Sequence, residues 1–123
     1  MVIAGIAVAG ALGALARYGL DRRLDAHGGV FPLGIFVVNI SGALLIGFLV
    51  TWMEPRFDDV TWLRTAVLTG FLGAYTTFST LSLDTYRLLD AGHLAVAFLN
   101  SVGSLAAGLA AVWIGIRLAG VVS

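Results

Sequence analysis

Gly70-Phe71-Leu72-Gly73-Ala74-Tyr75-Thr76-Thr77-Phe78-Ser79-Thr80-Leu81-Ser82-Leu83-Asp84-Thr85 is the stretch that decides how this chain folds. It places seven hydroxyl side chains and two glycines in a segment whose neighbours are as apolar as lipid. A bilayer core holds no water to satisfy polar groups, so each stray backbone N–H or C=O there costs several kcal/mol. Such a run at membrane depth has to line a cavity, bind an ion, or break a helix where another subunit covers the break.

Working outward, the composition places the chain in a membrane. Of 123 residues, 59% are hydrophobic and 11% charged, with a mean hydropathy of +0.99. Soluble domains carry about 25% charge. The length suits a single domain over residues 1–123. Absence of cysteine removes disulfides, thiolate metal sites and cysteine nucleophiles together. All seven basic residues are Arg and none forms a tract, so nucleic-acid binding has no footprint here.

Four apolar segments follow: Met1–Ala16, Phe31–Met53, Thr65–Leu83 and Leu94–Ile116, each free of charge. A span needs about 20 residues at a rise of about 1.5 Å each, which the second and fourth meet outright. The first is short unless its helix continues through Arg17, whose stem can carry the charge to the interface. No basic residue separates Met1 from the apolar run, which argues against a cleaved signal peptide despite Ala14-Leu15-Ala16. Trp52, Trp62 and Trp113 near helix ends fit aromatic belts. The connections are read as Asp21–Val30, Glu54–Trp62 and Thr85–His93, with His27 and His93 in loops.

Charge gives almost no instruction on orientation. Arg17, Arg22, Arg23 and Arg87 fall on one side, and Arg56, Arg64 and Arg117 on the other. Topology follows the Lys and Arg excess on the cytoplasmic face, and a difference of one leaves two readings open. Either another feature fixes the topology, or the chain inserts both ways. Small residues recur every four positions at Gly5, Ala9 and Gly13, and again at Gly103, Ala107, Ala111 and Gly115. Such stripes let helices approach closely in lipid, within one subunit or between subunits. Four helices this short do not enclose a pore, so an oligomer is expected.

Asn39 sits about a third of the way into the second segment, where an amide either glues helices, for about 0.6 kcal/mol, or lines a path. Asn100, Ser104 and Gly108 share a face of the fourth helix. With Thr76, Thr77, Ser79 and Thr80 they make a row of neutral hydrogen-bond donors. No ionisable side chain lies at mid-span, which argues against a proton-coupled transporter and against acid–base catalysis, so no enzyme is expected. A small multidrug-type exporter would need an acidic residue in its first helix, and Met1–Ala16 has none. Neutral donors suit a small anion; the electropositive rim of Phe78 adds weakly, and Arg17 at a helix end draws anions to a vestibule. The residues by themselves lead to a small-ion path or a polar helix junction.

Three motifs then make the chain recognisable: Gly10-Ala11-Leu12-Gly13-Ala14-Leu15-Ala16-Arg17-Tyr18; Phe31-Pro32-Leu33-Gly34 leading to Val38-Asn39-Ile40-Ser41-Gly42; and Gly70 to Thr80. In this order they resemble the Fluc (CrcB) family of fluoride channels over nearly the whole chain. The resemblance implies an all-α membrane protein with four transmembrane helices, the third broken at mid-membrane, in an antiparallel dual-topology dimer with two narrow fluoride pores. It implies passive fluoride export across a prokaryotic cell membrane. It also implies a structural Na⁺ at the dimer interface, held by the backbone carbonyls of Gly73 and Thr76. The family's pore positions correspond to Asn39, Phe78, Ser79, Thr80 and Ser104. Two residues depart from the pattern: Leu81 stands where the family usually has a second Phe, and Asn100 where a Tyr is common. Either the homodimer tolerates Leu81, or a second homologous subunit supplies the missing ring. A non-conducting assembly subunit is the alternative of a different class.

Overall fold

In a computed structural model the chain is all-helical over the described residues, which are 1–26, 28–57 and 60–122. His27 lies outside them. Four helical segments are long and apolar enough to cross a membrane: Val2–Asp25, Leu33–Met53, Thr61–Asp90 and Leu94–Val122. We label the first two α1 and α2. The third segment divides into α3 (61–75) and α4 (Phe78–Asp90), separated by two extended residues, and the fourth is α5 (Leu94–Val122).

The helices run further into their polar ends than hydropathy suggests. α1 continues through Arg17, Arg22 and Arg23, so the first connection is shorter than Asp21–Val30. α4 continues to Asp90, and α5 reaches Val122 rather than Ile116. Charge ends a hydrophobic run but not a hydrogen-bonded helix. Thirty residues make about 45 Å against a hydrocarbon core of about 30 Å, so the ends stand among headgroups. Three arginines there lie over an aromatic ring one turn earlier: Arg22 on Tyr18 at 5.8 Å, Arg56 on Trp52 at 4.9 Å and Arg117 on Trp113 at 5.3 Å. Arg56 also donates to the Val122 carbonyl at 3.2 Å, tying the end of α2 to the end of α5. The first turn of α2 gains an acceptor from α1, because the Gly34 N–H donates to Asp25 Oδ1 at 2.8 Å.

Small residues allow the close crossings, and they do so within the chain. A Cβ on Gly13 would run into the Phe71 carbonyl of α3. Gly47 lies against the backbone of Val112, and Gly115 against the Leu44 carbonyl and the Phe48 N–H. α1 therefore packs on α3, and α2 on α5. Within α3, residues Ala66–Leu72 form a π-helical stretch, and α5 carries another at Leu99–Gly103. The wider turn re-aims the residues that follow it, and such bulges favour functional positions. The core beside the break is Val38, Leu72 and Tyr75, with Leu20, Leu49, Leu68 and Phe71 packed around it.

Candidate functional site: the break in the third span

Between α3 and α4 the backbone leaves the helix for two residues, Thr76 at φ −80°, ψ 156° and Thr77 at φ −150°, ψ 119°. Any residue adopts these angles; the difficulty is that a break strands backbone polar groups. Residues 38–42 of α2 supply the remedy. Asn39 Nδ2 donates to the Thr77 carbonyl at 3.1 Å, and Asn39 Oδ1 accepts the Thr77 N–H at 2.8 Å. Both backbone groups of one residue are thus satisfied by one side-chain amide. Gly42 leaves space for the Thr76 methyl, which a Cβ at residue 42 would strike. On the α4 side, Thr77 caps the helix by accepting the Thr80 N–H at 3.3 Å.

The diverted Thr77 N–H matters for a cation. In a continuing helix it would point at the Gly73 carbonyl; here it goes to Asn39. Gly73 is exposed, and a Cβ there would meet nothing within 4 Å, so this carbonyl turn opens away from its own chain. Thr76, in extended conformation, turns its carbonyl out of the helical direction. Neutral oxygen donors at a helix C-terminal end are what a hard cation takes. The residues present therefore fit the Na⁺ that the motif implies.

Beside the break an open groove of about 760 Å³ runs between α2, α4 and α5. Asn39, Gly73, Thr76, Thr77, Phe78 and Ser104 all line it, and so does Leu81. Apart from the Tyr86 phenol, no lining residue is ionisable. Phe78 projects from the subunit at 82% exposed. Ser79 and Thr80 are not in this wall; they gather around Thr77, whose Oγ1 lies 3.1 Å from each of their hydroxyls. Arg17 is half-buried on α1 and is not part of the groove. The structure thus brings together Asn39, Gly73, Thr76, Phe78 and Ser104 along the groove, sets Ser79 and Thr80 behind Thr77, and leaves Arg17 out of it.

Where the hydroxyl protons point distinguishes these residues further. Thr76, Ser82, Thr85 and Ser101 each donate to the carbonyl four residues earlier, at 2.8 to 3.0 Å. Their oxygens offer only lone pairs to the groove. Thr77 Oγ1 accepts the Thr80 N–H, so it takes one hydroxyl proton and gives its own. That leaves one proton of the Ser79–Thr80 pair undirected. Ser104 Oγ is buried with no protein partner among the described residues, and Asn39 keeps a second Nδ2 hydrogen. Among the described groove residues the undirected hydrogens are therefore those of Asn39, Ser104 and Tyr86, and one of Ser79 or Thr80 adds another behind Thr77.

Sequence reasoning grouped Asn100 with Ser104, and both are buried, but Asn100 turns to α4. Its Nδ2 donates to Thr85 Oγ1 at 2.9 Å and reaches the Leu81 carbonyl at 3.4 Å. The two departures from the family pattern, Leu81 and Asn100, are thus neighbours. Tyr75 and Ser41, whose hydroxyls lie 2.8 Å apart, form a contact no sequence signal announced, being separated by 34 residues.

Comparison with known proteins agrees with these motifs. The profile of the family described as "CrcB-like protein, Camphor Resistance (CrcB)" matches residues 4–116. The chain is 49% identical over 118 residues to a Symbiobacterium thermophilum protein named "Fluoride-specific ion channel FluC 2", covering 95% of this chain and 96% of that one. It is 50% identical over 115 residues to "Fluoride-specific ion channel FluC" of Methylococcus capsulatus, covering 93% of this chain and 50% of that one. It is 44% identical over 117 residues to "Fluoride-specific ion channel FluC 3" of Streptomyces avermitilis, covering 95% and 57%. The chain thus spans about half the length of the latter two and nearly all of the first.

Proposed function

This chain belongs to the CrcB-like family, and we propose that it is a subunit of a fluoride-selective channel mediating passive fluoride export across a prokaryotic cell membrane. The observation that carries the reading is the groove wall. Asn39 and Ser104 line it with hydrogens that no protein acceptor takes among the described residues, the Phe78 rim adds an electropositive edge, and no carboxylate lines it. Hydrogen-bond donors without a titratable partner can replace part of an anion's hydration while leaving it free to move on. Such a site conducts rather than pumps, which suits a transport protein and not an enzyme.

The functional unit is an antiparallel dual-topology dimer. The near-equal arginine count on the two faces supports insertion both ways, and the open apolar groove supports a second copy covering it. In that dimer the carbonyls of Gly73 and Thr76 from each subunit hold a Na⁺, a fixed positive charge beside an anion path. Asn39 serves the path twice, since the amide that closes the break also lines the groove and keeps its second hydrogen for an anion. Ser79 and Thr80 offer their remaining proton at the start of α4, and Arg17 draws anions towards a mouth.

Fluoride efflux from liposomes holding this protein alone tests the reading. Rapid efflux that persists without a pH gradient is expected. Efflux only after a second homologue is added would transfer the function to a heterodimer in which the partner supplies a ring opposite Leu81. No efflux under either condition would refute the channel.

A further inference from the structure

We infer that the Tyr75 phenol, through its bond to Ser41, is a positioning group for the cation-binding carbonyls of Gly73 and Thr76. This rests on the cation reading above and goes beyond it, because Tyr75 offers no ligand itself.

Three consecutive residues, the last of α3 and the two of the break, are each gripped by α2. Thr77 is held by Asn39, and Thr76 is seated against Gly42. Tyr75 is held by Ser41, the hydroxyls lying 2.8 Å apart. The direction of that bond follows from the proton count. Ser41 directs its only hydroxyl proton to the Val38 carbonyl at 3.1 Å, so its oxygen accepts and the phenol donates. The Tyr75 ring is 7% exposed and stacks on Phe71 with centroids 5.9 Å apart and planes 11° from parallel.

Of the three residues in the last turn of α3, Tyr75 alone has a side-chain hydrogen bond. An added Cβ on Gly73 would meet open space, while a Cβ on Gly10 of α1 would lie 3.9 Å from the Ala74 methyl, so α1 packs on this turn as well. Apolar contact is non-directional, whereas a hydrogen bond has a preferred direction, so the directional restraint on this turn, and with it on the Gly73 carbonyl, comes from Tyr75. Thr76 follows immediately and inherits the same anchor. Groups that orient ligands without touching the metal change its affinity by about 10- to 100-fold when removed.

The test is the melting temperature of the purified protein across a Na⁺ series, with an organic cation keeping ionic strength constant. Ligand that binds only the folded state raises this temperature with concentration. For the unmodified protein it should rise with Na⁺. Tyr75→Phe keeps the ring and removes the donor, and should raise the half-saturating Na⁺ about tenfold. Ser41→Ala should shift it similarly, and the double variant no further than either single one, because both remove one bond. If Tyr75→Phe does not fold, Ser41→Ala reads the same bond. A lower melting temperature with unchanged half-saturation would overturn the inference and leave Tyr75 as packing. An unmodified protein that conducts fluoride yet shows no Na⁺ dependence would overturn the cation and this inference, while sparing the channel.

Discussion

Replacing Asn39 by Ala removes the one amide that closes the break. Both hydrogen bonds to Thr77 are lost, at 3.1 and 2.8 Å. Intramolecular hydrogen bonds contribute about 0.5–1.5 kcal/mol each in net terms, whereas a buried group left unsatisfied costs about 1–3 kcal/mol. Side-chain bonds between membrane helices average only about 0.6 kcal/mol, because the dispersed helices find other partners. The backbone of Thr77 does not have that option while the break persists, and the residue is 8% exposed. The larger figures therefore apply, and two groups give about 2–6 kcal/mol. Reversible unfolding in mixed micelles measures this loss, and liposome efflux of the same variant should fall with the dimer still assembled. A loss below about 0.5 kcal/mol, the lower end for a single bond, or unchanged efflux, would refute the argument that one amide both closes the break and serves the path.

Other substitutions separate packing from conduction. Gly13→Ala should destabilise by about 1–3 kcal/mol, because the new Cβ meets the Phe71 carbonyl, whereas Gly19→Ala, with nothing within 4 Å, should stabilise by about 0.5–1 kcal/mol; paired unfolding curves read the sign. Thr77→Val removes the cap of α4 and should cost about 1 kcal/mol, visible as a lower unfolding midpoint. Leu81→Phe adds a ring edge to the groove wall and should preserve or raise fluoride flux, while a misfolded product would place Leu81 in tight packing instead.

How much of this was legible in the sequence varies by residue. The four spans were, because uncharged runs such as Phe31–Met53 leave few alternatives to crossing a membrane. The break was foreshadowed by its hydroxyl density and by the resemblance, which implied a broken third helix, and the structure puts it at Thr76 and Thr77. The helix ends were misplaced, since Arg17, Asp84 and Arg117 stop an apolar run without stopping a backbone ladder. Neither π-helical stretch had a signal, because an extra residue per turn alters no local preference enough to read. Asn39 stands out in the sequence as an amide inside an apolar run, but its partner lies 38 residues away and only the fold reveals it. Proton direction was likewise hidden: Ser101 and Ser104 look equivalent in sequence, yet one gives its proton to a carbonyl and the other has no partner among the described residues.

The central claim is a selective anion path built from neutral donors, and a bi-ionic reversal potential tests it most directly. With the protein in a planar bilayer, fluoride at unequal concentrations on the two sides and chloride making up the difference, the account predicts a current that reverses at the fluoride equilibrium potential. Reversal near zero, or no current at all in membranes shown to contain the dimer, would contradict it.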